Sequence, residues 1–213
     1  MRSANGPATA TTTAAASVTA TTATLNGLGI PNGATTLGWF RYSPTNPGAC
    51  SDTFGTRAPS SSGLSLGAGV VGVPFGQPIA GLSPGVTYYY CAIANNTYGT
   101  GYGAVLSFTT PATAPTVTTS GASSLTRTTG VLTAYANPGG DATTGWFRYS
   151  SASPGTCNDT FGTRAPTMGA SALGSGTSGV SYQQAISGLT AGERVIVAGT
   201  EAVPDGATIT VQK

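Results

Sequence analysis

The chain has 213 residues, a length that accommodates one large domain or two of ordinary size. Apolar residues make up 39% of it and charged residues only 7%, with a net charge of +2. Such sparse, scattered basic residues exclude the dense positive surface of a nucleic-acid-binding protein. No apolar run approaches the roughly 18 residues of a membrane-spanning helix, so none is predicted.

The remaining composition favours an all-β protein. Threonine suits pleated strands, and the 32 glycines suit tight turns. We expect a secreted or cell-surface protein, although the first five residues lack the apolar region of a signal peptide. The chain is therefore interpreted as one whose signal peptide is not present, or as a fragment of a longer protein.

An internal repeat organises the chain. Residues 38–43 (GWFRYS) recur at 145–150, and residues 52–59 (DTFGTRAP) recur at 159–166. Both pairs are offset by 107 residues (145 minus 38, and 159 minus 52). Repetition without insertions indicates two copies of one structural unit.

The copies are separated by a Pro-containing stretch, residues 109–115 (TTPATAP). This stretch lacks apolar periodicity, which is typical of a linker. The sequence predicts one domain over residues 1–111 and a second over 112–213. Because so few residues separate them, we expect a semi-rigid rod.

Short alternating segments separated by turns predict the strands of the first copy. They are residues 23–28, 37–42, 87–94 and 104–109, with a turn at 31–33 (PNG) and another over 95–104. No segment has convincing helical periodicity. The prediction is a Greek-key β-sandwich in each copy.

Four runs carry a resemblance to a known family: ATLNG…PNG, GWFRYS, GLSPGVTYYYCAIANNTYGTG and VLSFTT. They resemble the fibronectin type III-like, immunoglobulin-like repeats of bacterial secreted and surface proteins, over residues 8–110 and less completely over 115–213. The resemblance implies that Tyr88 forms a corner with the preceding turn. It also implies a binding, spacing or adhesive role without catalysis, which is an argument by analogy.

The family pattern assigns faces to the strands. Residues 88, 90, 92 and 94 then face the core, whereas Tyr89, Cys91 and Ile93 face outward. Trp39 and Arg41 of the neighbouring strand share that outer face. An outer face rich in large apolar side chains requires a cover. We expect residues 43–60 to supply it.

This covering segment contains several candidate site residues. Phe54 is expected to be its apolar plug, and Arg57 to pair with Asp52 or to stack on Trp39. A Cys50–Cys91 disulfide would fasten the segment, and two unrelated thiols are the alternative. The equivalent candidates of the second copy are Trp146, Arg148, Asp159, Phe161 and Arg164.

The second copy differs at its cysteine. Position 198, the counterpart of Cys91, is Ala, so Cys157 is predicted to carry a thiol rather than a disulfide within its own copy. A buried inert thiol, a bridge to another chain and a partner lost by truncation all remain open. After Gly192 the copies diverge. Val195 and Val197 are expected to keep the core positions, and residues 208–211 to form the last strand of a short C-terminal hairpin.

Catalysis is not expected. The chain has no histidine, which excludes the usual base and metal ligand, and only six acidic residues. The first copy has a single carboxylate, Asp52, so a pair of acidic catalytic groups does not fit within it. No metal, cofactor or nucleic-acid partner is predicted.

Three functions remain. The first is a structural or adhesive module whose partners are other protein domains or copies of itself. The second is a self-assembling filament subunit joined through edge strands or Cys157. The third is a carbohydrate-binding accessory domain, with surface polysaccharide as partner and Trp39, Tyr89 or Tyr102 as stacking platforms.

Overall fold

The computed structural model describes residues 5–190. The chain divides into two compact units, Met1–Pro111 and Ala112–Lys213. The described part is all-β, and every strand pairing in it is antiparallel. Among these residues there is no helix long and apolar enough to cross a membrane.

The first unit has nine strands within its described residues, arranged in two sheets. The strands are β1 (Thr9–Ala16), β2 (Thr22–Ile30), β3 (Thr36–Ser43), β4 (Thr56–Ala58), β5 (Leu64–Gly67), β6 (Val73–Ala80), β7 (Thr87–Asn96), β8 (Gly99–Tyr102) and β9 (Leu106–Thr109). One sheet has the order β1-β2-β6. The other has β3 and β7 at its centre, β4 and β5 along β3, and β8 and β9 along β7.

The core of the first unit lies between these two sheets. Strand β2 shows why: its residues alternate between buried and half-buried, so that Ala23 and Leu25 point inward. Phe40 of β3 and Phe75 of β6 meet there with ring centroids 4.8 Å apart. Burying one such large apolar side chain contributes about 1.5–3 kcal/mol.

Strand β7 is buried on both of its faces. Tyr88, Tyr90 and two alanines pack in the main core. Cys91 and Ile93, which point to the opposite face, are also fully buried, in a separate apolar cluster. A strand buried on both sides must be covered by a second layer, and the segment after β3 provides that layer.

The last strand of the first unit is interrupted. The sequence predicted a turn over residues 95–104, but this segment contains β8, which pairs with the end of β7. β8 and β9 together form the sheet edge, and β1 lies close against it. The hydroxyl of Thr12 in β1 accepts the Ala92 backbone N–H at 3.0 Å.

The second unit repeats this plan as far as it is described. Its strands are β10 (Thr116–Ser123), β11 (Thr129–Asn137), β12 (Thr143–Gly145), β13 (Phe147–Tyr149), β14 (Thr163–Ala165), β15 (Ser171–Gly174) and β16 (Val180–Ser187). They form a β10-β11-β16 sheet and the pairs β12-β15 and β13-β14. Leu132, Phe147 and Tyr182 lie in its core. Ala198 and the predicted C-terminal hairpin, with its last strand at residues 208–211, lie outside the described residues.

Candidate functional site

Residues 43–60 run from the end of β3 through β4 and cover the outer face of the first unit's larger sheet. We call this segment the flap. A disulfide joins Cys50 of the flap to Cys91 of β7, as expected from their predicted positions. The two Cα atoms are 6.0 Å apart, and the bridge closes a sequence separation of 41 residues. On the chain-entropy model, such a closure contributes about 4 kcal/mol to stability.

An apolar cluster lies beneath the flap. Trp39, Cys91 and Ile93 form its buried centre. Cys50 and Phe54 of the flap pack on it, together with Val105 from the connection between β8 and β9. Phe54 thus occupies the position of the apolar plug. Only 8% of the Trp39 surface is exposed, so its ring is not free to stack on a ligand.

One carboxylate fixes the flap to the sheet. A single oxygen, Asp52 Oδ1, accepts a hydrogen bond from Trp39 Nε1 at 2.8 Å and another from Arg41 Nε at 2.9 Å. Arg41 Nη1 also donates to the backbone carbonyls of Phe54 and Gly55, at 3.5 and 3.4 Å. Two side chains of β3 therefore hold two consecutive parts of the flap.

Arg57 has a different partner. Its guanidinium carbon lies 4.6 Å from the centroid of the Trp39 ring, which is a cation–π contact. Its Nη1 donates to the Pro59 carbonyl at 2.7 Å, and its Nη2 donates to the Ser62 carbonyl. Of the two partners considered for Arg57, the structure shows Trp39. Asp52 is instead paired with Arg41. We call Trp39, Arg41, Asp52 and Arg57 the anchor.

The anchor changes the acidity of Asp52. Partial burial raises the pKa of this carboxyl, but the hydrogen bonds from Arg41 and Trp39 and the charges of Arg41 and Arg57 outweigh it. The net effect lowers the pKa of Asp52 below its ordinary value of 3.8. Asp52 is therefore an ionised structural group at neutral pH, with its Oδ1 already engaged.

The repeated DTFGTRAP run now has a residue-by-residue explanation. Asp52 is the acceptor, Phe54 the plug and Arg57 the cation on the indole ring. Gly55 has a φ of +50°, and a Cβ at this position would lie 2.1 Å from the Tyr42 carbonyl oxygen, so only glycine fits. Ala58 is buried against the main core and precedes a cis proline.

The second copy reproduces the anchor without a disulfide at the equivalent place. Asp159 Oδ1 accepts Trp146 Nε1 at 2.8 Å and Arg148 Nε at 3.2 Å. Arg164 lies 4.6 Å from the Trp146 ring centroid. Arg148 also donates to the backbone carbonyl of Phe161, at 3.3 Å. The anchor geometry therefore forms without a covalent link.

Cys157 lies in the second flap and is half-buried. The position that corresponds to Cys91 lies outside the described residues. The three interpretations of this cysteine therefore remain predictions.

Several aromatic rings of the first unit stay accessible. Tyr102 of β8 and Tyr98 of the preceding turn are 49% and 52% exposed, and Tyr89 is half-buried. Tyr89 lines an open cavity of about 500 Å³ beside the flap. The three candidate stacking platforms therefore differ, because Arg57 and the flap cap Trp39 but leave Tyr89 and Tyr102 reachable.

Sequence reasoning did not find the bond from the Trp39 indole to Asp52. The signal was present, because Trp and Asp recur together 13 residues apart in both copies. In the described part of the chain, no three His, Cys, Asp or Glu side chains gather into a metal-binding group.

Comparisons with known proteins find similarity among solved structures. No protein-family profile matches the chain, and no curated protein does. The sensor domain of the anti-sigma factor RsgI4 of Pseudobacteroides cellulosolvens is similar in structure, with a TM-score of 0.34 and 18% sequence identity. The similarity covers 50% of this chain and 91% of that one. The function proposed below therefore depends on this chain's own residues.

Proposed function

We propose that the chain is a pair of fibronectin type III-like, immunoglobulin-like β-sandwich modules that serve as a non-catalytic structural spacer in a secreted or cell-surface bacterial protein. The strand order supports this assignment. One sheet has the order β1-β2-β6, and the other places β3 and β7 centrally with the last strands at its edge. That arrangement of two antiparallel sheets is expected for a Greek-key sandwich.

The corner before β7 also supports the family assignment. The hydroxyl oxygen of Tyr88, near the start of β7, accepts the Ser83 backbone N–H at 2.9 Å. In immunoglobulin-like sandwiches, a tyrosine near the start of strand F typically makes such a hydrogen bond to the preceding backbone. By its position in the sheet, β7 corresponds to strand F. It is the role that the resemblance implies for Tyr88.

The observation that carries the functional proposal is the use made of Asp52. It is the only carboxylate of residues 1–111, and its Oδ1 accepts hydrogen bonds from Trp39 and Arg41. The group best suited to acid–base chemistry in this unit is thus part of the framework. The flap adds a second apolar layer and a disulfide, which strengthen the unit.

The disulfide supports the proposed compartment. Disulfides persist in oxidising surroundings outside the cytosol and are rare within it. The Cys50–Cys91 bridge closes over a buried Cys91, which suits a protein that remains folded after secretion.

Single-molecule force spectroscopy of the whole chain tests the spacer role. We expect the first unit to resist force and then to release a contour length that excludes the segment locked by the disulfide. Reduction of the disulfide should increase the contour length released by the first unit by about 14 nm, since the bridge spans 41 residues at roughly 3.5 Å each. The second unit should release the same length before and after reduction, which makes it the internal control.

Two results would contradict the proposal. One is a first unit that extends without a distinct unfolding event, as an unstructured chain does. The other is turnover of a substrate that disappears in Asp52→Asn while the unit stays folded.

A further inference from the structure

The open cavity beside the flap is the feature that the spacer role leaves unused. Its volume of about 500 Å³ lies within the range of roughly 300–1,000 Å³ that is typical of small-ligand sites. It lies where three parts of the first unit meet. Ala14 and Ala15 come from β1, Asn46 and Gly48 from the flap, and Tyr89 and Ser107 from β7 and β9.

Small side chains open this cavity. Ala14, Ala15 and Gly48 leave space between the flap and the sheet edge, and a Cβ added at Gly48 would contact nothing within 4 Å. The space beside Gly48 is therefore open, and the methyl groups of Ala14 and Ala15 do not fill it.

The cavity presents an aromatic ring beside hydrogen-bonding groups. Tyr89 lies on the outer face, and Ser107 is its cross-strand partner in the register of β7 and β9. Cross-strand partners share a face, so the Ser107 hydroxyl lies beside the Tyr89 ring. Both side chains line the cavity.

Asn46 supplies the third polar group. Its Oδ1 accepts the Gly48 backbone N–H at 2.8 Å, which orients the amide. Within the described residues the Nδ2 group makes no hydrogen bond, so two donors remain for a ligand.

None of the residues that line the cavity is charged. This neutral lining does not suit phosphate, carboxylate or cationic ligands, whose recognition relies on charged side chains. A pyranose ring suits it, because one apolar C–H face stacks on an aromatic ring while its hydroxyls exchange hydrogen bonds with amides and hydroxyls. An extended peptide suits it less, because β1 lines the cavity opposite the edge of β9 and restricts the addition of a strand.

We propose that the cavity bounded by Tyr89, Asn46 and Ser107 is a binding site for a neutral saccharide, with Tyr89 as its stacking platform. This site is separate from the anchor and goes beyond the spacer role. It would allow the first unit to contact an uncharged polysaccharide while it spaces other domains. At the 107-residue offset, position 196 of the second copy is Ile rather than Tyr, so the proposal concerns the first copy.

The test is an NMR titration of the whole, isotope-labelled chain. Cellohexaose, xylohexaose and mannohexaose are added separately, up to about 10 mM, because a shallow site with few hydrogen bonds is expected to bind in the millimolar range. At least one of them should shift the backbone signals of residues 46, 89 and 107. A neutral hexapeptide of Ala, Ser and Thr is titrated in parallel.

Three variants locate the site. Tyr89→Ala should weaken saccharide binding by about tenfold or more, since a stacked aromatic ring contributes on that scale. Asn46→Ala should weaken it about threefold, and this exposed flap residue can be replaced without disturbing the core. Tyr102→Ala removes an exposed tyrosine outside the cavity and should leave the affinity unchanged.

The proposal is overturned if no saccharide shifts the three signals, or if Asn46→Ala and Tyr89→Ala both retain wild-type affinity while folded. It is also overturned if the peptide, rather than a saccharide, binds at these residues. Failure here leaves the spacer role intact, because that role is measured by force and not by ligand binding.

Discussion

Asp52 shows how one side chain stabilises a whole loop. The indole N–H of Trp39 is covered by the flap, and a buried donor left without an acceptor costs about 1–3 kcal/mol. Asp52 supplies that acceptor and neutralises Arg41 with the same oxygen. Its side chain is still 41% exposed, so solvent screens the ion pair and the gain is modest.

Replacing Asp52 by Asn tests this reasoning. The variant keeps an oxygen acceptor but loses the charge that faces Arg41, so we expect the first unit to lose about 1 kcal/mol of unfolding free energy. The indole N–H signals of Trp39 and Trp146, followed by NMR during urea unfolding, report one copy each. Trp146 should be unaffected, and an equal loss at both tryptophans would refute a local role for Asp52.

The same carboxylate makes stability depend on pH. Since folding lowers the pKa of Asp52 below 3.8, its contribution is complete above that value and is lost as the pH falls through the folded-state pKa. We therefore expect the stability gap between wild type and Asp52→Asn to be largest near neutral pH and to close in strong acid. A gap that does not change from pH 7 to pH 2 would contradict this assignment.

At the level of elements, β1 of one sheet packs closely against β8 and β9 at the edge of the other sheet. A Cβ added to Gly101 would lie 2.3 Å from the Ala8 carbonyl oxygen. A Cβ added to Gly103 would lie 2.4 Å from Thr12 Oγ1. These two glycines let the backbone of β1 approach β8 directly. Thr12 can then accept the Ala92 N–H.

Gly101→Ala is expected to push β1 away from β8 and to destabilise the first unit by about 1–3 kcal/mol, the usual cost of overpacking. Gly6→Ala is the matched control, because an added Cβ there meets nothing within 4 Å. Thermal unfolding of both variants measures the difference. Equal midpoints would show that β1 does not depend on this close approach.

The sequence predicted those elements whose signal is local. Alternation along residues 87–94, together with the family pattern, indicated that Cys91 lies on the outer face, and this led to its pairing with Cys50. Strand β8 was missed because its glycines are typical of turns, and only the approach of β1 explains them in a strand. The sequence left two partners open for Arg57, because the choice between Asp52 and Trp39 depends on side-chain geometry that spacing does not encode.

At the level of the whole molecule, comparison of the two copies separates what forms the flap from what reinforces it. In both copies the indole nitrogen lies 2.8 Å from the Asp Oδ1, and the Arg guanidinium carbon lies 4.6 Å from the indole ring centroid. The sequence of the first copy alone has both cysteines of the Cys50–Cys91 bridge, since position 198 is Ala. We infer that the anchor positions the flap, whereas the disulfide adds stability.

The double variant Cys50→Ala/Cys91→Ala separates the two contributions, with NMR of the Trp39 indole N–H and urea unfolding as the measurements. We expect the first unit to lose about 3–4 kcal/mol of unfolding free energy because the cross-link is removed, with the Trp39 signal still at its wild-type position. The Trp146 signal of the intact second anchor is the control in the same chain. A folded variant whose Trp39 signal moves to the position of a solvent-exposed indole would contradict the claim.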